Sequence, residues 1–125
     1  MDGVGNVIEL LGRILLASIF LLSGVNKIMT YEVTQAYMET MNVSGCLLGP
    51  VIVLEIAGAL GLILGWWTRL AALGLAVFTI LAAFLFHGDF DNQMQMIMFM
   101  KNITITGGLL LLLANGSGEI SIDQR

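Results

Sequence analysis

A lysine and an asparagine, Lys101 and Asn102, interrupt an otherwise apolar run from Ile97 to Leu113, and a glutamate, Glu55, interrupts another that begins near Leu48. An ionised group at the centre of a membrane-spanning helix costs about 2.5–3.5 kcal/mol on insertion scales unless it is paired, hydrated or able to reach the interface. Lys27, closing a first apolar run, can reach the interface by itself; Glu55 is shorter and needs a partner. Glu55 and Lys101 both lie about 10 Å below one surface at 1.5 Å of rise per residue. Lys101 is therefore the expected partner of Glu55, with Lys27 second, and Asn102 and Thr104 are expected to satisfy neighbouring polar groups. Ser23, Asn26 and His87 fall near the same level. A carboxylate and an imidazole can hold and pass protons near neutral pH, and an ammonium can stabilise a developing negative oxygen. Glu55 and His87 are thus the candidate catalytic residues, and Lys27, Lys101, Asn102 and Ser23 the candidate substrate or cofactor contacts. The competing reading is that these charges only fix helix packing.

The elements that must position them are membrane helices. Of 125 residues, 58% are hydrophobic and 11% charged, with a mean hydropathy of +0.93, whereas soluble domains are about half apolar and a quarter charged. Segments 6–29, 48–66, 69–87 and 94–114 each approach the roughly 20 apolar residues that cross a bilayer. Without alternating strands for a barrel, the expected fold is an all-α bundle of four transmembrane helices, with residues 1–125 forming a single membrane domain. Glu9 and Arg13 interrupt the start of the first span, and no small-x-small cleavage site follows it, so it reads as a retained helix. Gly49 and Pro50 open the second span; Trp66, Trp67 and Thr68 turn the chain into the third. His87 to Asp91, Phe90 included, turn it into the fourth, which Asn115 to Gly118 end. Residues 30–42, with Val33, Tyr37 and Met41 four apart, read as a short amphipathic surface helix, either a lid over the bundle or an ordered connector.

Helical periodicity assigns faces. Glu9, Arg13, Leu16, Phe20, Ser23 and Lys27 form one stripe that must face protein, with Glu9 and Arg13 a structural ion pair one turn apart. Arg69, Ala72, Ala76, Thr79 and Ala83 form a seam of small and polar residues, and Ala57, Gly61 and Gly65 a second small-residue track for helix contact, within one bundle or between copies. Four spans put both termini on one side with Arg13, Arg69 and Arg125, opposite Lys27, Glu32, Glu39, Asp89 and Asp91, which favours cytoplasmic termini.

Several chemistries are excluded. A net charge of −4 with 5 Lys and Arg leaves no polybasic tract for nucleic acid. The single Cys46 permits no internal dithiol, and the single His87 no bis-histidine haem. No cysteine cluster, phosphate loop or metal-ligand set is present. Any redox role would use a diffusible carrier such as a quinone and take electrons from a partner.

Arg13, Phe20, Ser23, Gly24 and Lys27, then Glu55, Gly58, Gly61, Gly65, Thr68, Arg69, Ala71 and Ala72, then His87, Lys101, Asn102, Gly107 and Gly108, resemble the pattern of the DoxX family of small bacterial membrane proteins. The resemblance covers nearly the whole chain. It implies a four-helix bundle of the bacterial inner membrane and a family of mixed activities. These include subunits of a thiosulfate:quinone oxidoreductase, a membrane component of a mycobacterial oxidoreductase complex and, distantly, eukaryotic cargo receptors. The expectation is an inner-membrane subunit with a polar pocket for a quinone or small anionic substrate, supporting a soluble oxidoreductase partner rather than catalysing alone. The alternatives are a non-catalytic scaffold or carrier and, third, a small transporter formed by a dimer.

Overall fold

A computed structural model of the protein describes residues 3–89, 91–118 and 120–123. Phe90 in the expected turn and Arg125 in the charge count lie outside the described residues. The elements are α1 (Gly3–Met29), α2 (Tyr31–Thr40), a short 3₁₀ turn (Gly45–Leu47), α3 (Leu48–Leu64), α4 (Thr68–Phe86) and α5 (Gln93–Asn115). α1, α3 with its 3₁₀ turn, α4 and α5 are each long and apolar enough to cross a membrane.

α1 packs along α3, α5 along α4, and α3 joins the two pairs, while α1 and α5 barely touch. The core between them holds Ala17, Phe20, Leu62, Leu75 and Leu109, with Ala59, Ala72 and Ala76 where backbones come close. The outward faces remain apolar, with Leu15, Leu22, Val53, Leu81, Phe84 and Leu111 all exposed, as a helix facing hydrocarbon must be. Close packing of α1 on α3 requires Gly24: a Cβ there would come within 2.6 Å of Ile56 Cγ1.

The stripe on α1 faces protein as its spacing required, with Arg13 and Phe20 buried and Leu16, Ser23 and Lys27 half-buried. The α4 seam is likewise buried from Ala72 to Ala83, although Arg69 at its start is exposed. Two readings change. Gly61 and Gly65 are not a helix-contact track: Gly65, at φ +69°, ends α3, and the amides of Gly65 and Trp66 both donate to the Gly61 carbonyl, a glycine-dependent helix stop; Ala57 is exposed. In α2 the side chain turned inward is Met38, packed with Leu48 and Ile52, whereas Val33, Tyr37 and Met41 are exposed. The apolar periodicity of α2 therefore marks its outer face.

The segment after α5 folds back over the end of the bundle, which the sequence gave no reason to expect. The amides of Ile122 and Asp123 donate to the carbonyls of Leu64 and Gly65. The Asp123 carboxylate accepts from the amides of Trp67 at 3.2 Å and Thr68 at 2.9 Å. α4 starts at Trp67 in a left-handed conformation with no side-chain cap of its own, so Asp123 supplies the missing N-cap acceptor from far along the chain.

Candidate functional site

The polar residues expected to converge do so, with one exception. Lys27 in the last turn of α1 reaches Glu55 in the second turn of α3, Nζ to Oε1 at 2.7 Å, and also donates to Ser23 Oγ at 2.6 Å. The Glu55 side chain is 2% exposed and that of Lys27 23%. A carboxylate so buried is tolerable because it is paired and hydrogen-bonded. The partner is Lys27, not Lys101, and the reason is angular. Depth matched Glu55 to Lys101, but α5 lies against α4, not α3, and Lys101 is exposed on the side facing α1. Its neighbour Asn102, a further 100° around the helix, turns inward and donates from Nδ2 to the Thr79 carbonyl at 3.3 Å. Thr104 is exposed and bonds only its own helix, at the Met100 carbonyl.

Ser23, Lys27, Glu55, His87 and Asn102 line one cavity of about 320 Å³. Its remaining wall is largely apolar, including Phe20, Phe78 and Phe86. α2 roofs it with Thr34, Tyr37 and Met38, Tyr37 stacking on Phe86 with ring centroids 5.8 Å apart. His87 ends α4, and its Nδ1 lies 2.8 Å from Gln95 Oε1 in the first turn of α5. With that oxygen as acceptor, Nδ1 carries the proton of the neutral ring and Nε2 is the nitrogen free to accept one. The cavity thus combines a carboxylate, an ammonium and an imidazole with aromatic faces, at the small end of the volume range of ligand sites, about 300–1,000 Å³. Sequence reasoning missed its aromatic wall and roof; Phe20 alone was marked, as a member of the α1 stripe.

A second polar centre lies at the opposite end. The Arg13 guanidinium is buried and donates to the carbonyls of Leu62 at 2.9 Å and Ile63 at 3.4 Å, and to that of Ile120. These are the orphan carbonyls of the α3 terminus and the returning segment. Glu9 and Asp123 act on the guanidinium through their charge, and the Glu9 carboxylate lies against Gly118. The relation of Glu9 to Arg13 is therefore one of neighbouring charges, with the hydrogen bonds of Arg13 going to backbone.

The family model described as DoxX matches residues 8–88. The chain is 49% identical over 124 residues to "Inner membrane protein YqjF" of Escherichia coli (strain K12), covering 99% of this chain and 95% of that protein. It is 33% identical over 126 residues to "Inner membrane protein YphA" of the same organism, covering 95% and 90% respectively. No solved structure matches significantly. The matched region carries Lys27, Glu55 and His87 of the cavity together with the buried Arg13, and the chain belongs to the DoxX family.

Proposed function

We propose that this DoxX-family protein, a multi-pass protein of the bacterial inner membrane, binds a quinone headgroup or a comparable small acceptor-bearing molecule in the cavity and supports an associated oxidoreductase. The observation that carries the reading is the Lys27–Glu55 pair on a cavity wall. Lys27 has committed two of its three N–H donors, to Ser23 and Glu55, which leaves one for a ligand oxygen. In that position the ammonium favours negative charge developing on the oxygen. Glu55 and the free nitrogen of His87 hold and exchange protons, and the Phe20, Phe78 and Phe86 rings offer flat apolar contact. Electrons come from the partner, since no side chain in the cavity is a redox group.

The test is binding of a tritiated decyl-benzoquinone to protein purified in lipid nanodiscs. Glu55→Gln and Lys27→Met are each expected to weaken it at least about tenfold, the effect of 1.4 kcal/mol, with the helical content unchanged. Unchanged binding in both variants would overturn the quinone reading. If Glu55→Gln combined with Lys27→Met then also restored the stability lost by either single change, the pair would be a packing device and the protein a scaffold.

A further inference from the structure

The cavity has a closed side and an open side. Toward the aqueous surface α2 covers it: Met38 is buried, Tyr37 stacks on Phe86, and Gln35 is hydrogen-bonded to the Gly45 carbonyl at 3.1 Å. A water-borne ligand would have to lift that helix. Toward the lipid, α1 and α5 barely touch, and the seam between them is a groove. One stretch, of about 670 Å³, is lined by Leu15, Leu16 and Ile19 of α1 and Lys101, Thr104 and Ile105 of α5. A second, of about 850 Å³, continues past Gly12, Gly108 and Leu111. Ile19 and Ile105 line both the groove and the cavity, so these two side chains are the partition between them, and Leu15 and Leu16 join the two stretches.

We infer that the cavity is reached from within the bilayer, between Ile19 and Ile105, by a single-tailed amphiphile whose head sits beside Lys27 and Glu55 and whose hydrocarbon tail lies in the α1–α5 groove. This rests on the reading of the cavity as a ligand site and specifies its ligand class. A tail lying against Leu15, Leu16 and Leu111 gains little over a tail among lipids, because lipid chains are as apolar as leucine. Its effect is to hold the ligand in the phase onto which the partition opens, so that rotation of two isoleucine side chains replaces displacement of a helix. Lys101 is one turn before Ile105 on the groove wall, so an entering polar head meets a cation there before it reaches Lys27. This gives the lysine that does not pair with Glu55 a place on the path.

The experiment is photolabelling of the intact protein in phosphatidylethanolamine and phosphatidylglycerol nanodiscs. Two probes are used separately: a benzoquinone with a decyl tail ending in a diazirine, and palmitic acid carrying a diazirine in mid-chain. Adducts mapped by peptide mass spectrometry are expected on the groove residues of α1 and α5 about tenfold over the exposed Leu60 and Leu81 of α3 and α4, equivalent to 1.4 kcal/mol of preference. Excess tailless benzoquinone should displace the quinone probe, and Ile19→Trp should reduce groove labelling by the same factor. Even labelling of all outward faces, adducts joining two chains across the groove, or no groove adducts with either probe would each overturn the inference. Groove labelling by palmitate alone would leave it standing while removing the quinone reading of the cavity.

Discussion

At the scale of single residues, the chain turns on one ion pair whose depth was legible in its sequence and whose partner was not. Counting residues from the ends of apolar runs placed Glu55, Lys27, His87, Asn102 and Lys101 in one leaflet, because rise per residue is fixed. Which cation met the carboxylate depended on rotation about the helix and on which helix neighbours α3, and neither is encoded in depth. Removing one partner of a buried pair leaves an uncompensated charge. Glu55→Gln and Lys27→Met are therefore each expected to destabilise the folded protein by about 3 kcal/mol. Lys101→Met should leave stability within about 0.5 kcal/mol, the usual range for an exposed site. Reversible unfolding by denaturing detergent in mixed micelles measures all three. A loss in Lys101→Met equal to that in Glu55→Gln would contradict the assignment of the pair.

At the scale of elements, the helices were legible because apolar length and polar punctuation are local properties, and the observed bounds of the four long helices fall within a few residues of those expected. Two local signals misled. The spacing of Gly61 and Gly65 matches a helix-contact motif, yet the second glycine is the left-handed stop of α3. The period of Val33, Tyr37 and Met41 was real but marked an outward face, because α2 lies on a bundle and beside lipid, both of which accept apolar groups. Gly24 lies at the closest point of α1 and α3, so Gly24→Leu should push the helices apart and cost about 1–3 kcal/mol, the usual effect of overpacking. It should also weaken the Lys27–Glu55 contact, which the same unfolding measurement made on Gly24→Leu combined with Glu55→Gln would register as non-additivity. Asp123→Ala removes the acceptor for the first amides of α4 and should cost about 1 kcal/mol. Hydrogen exchange should quicken at Trp67 and Thr68 while the amides in the middle of α4 stay protected. Uniform exchange through α4 in the variant would show the cap to be dispensable.

At the scale of the whole molecule, two well-packed helix pairs, α1 with α3 and α4 with α5, share one strong connection through α3 and α4 and leave the seam between α1 and α5 open. That asymmetry could not be read from the sequence, since each span carries enough apolar surface to face lipid or protein. The segment after α5 offsets it at one end, touching α3 and α4 through backbone hydrogen bonds and α1 through Arg13. Arg13→Met should free that segment, so limited proteolysis is expected to cleave between Asn115 and Asp123 several times faster while the four long helices stay protected. An unchanged cleavage pattern would mean that the Asp123 contacts hold the segment without the arginine.

The guanidinium of Arg13 draws its acceptors from carbonyls 49 and 107 positions further along the chain. During synthesis the first helix therefore enters the membrane with a cation whose acceptors have not yet been made. It stays in that state until α3 arrives, and one acceptor is still missing when α5 has inserted. Until the segment beyond α5 leaves the ribosome, the nascent chain depends on the insertion machinery or on water at the membrane surface to solvate that charge, and docking of the segment marks the end of assembly.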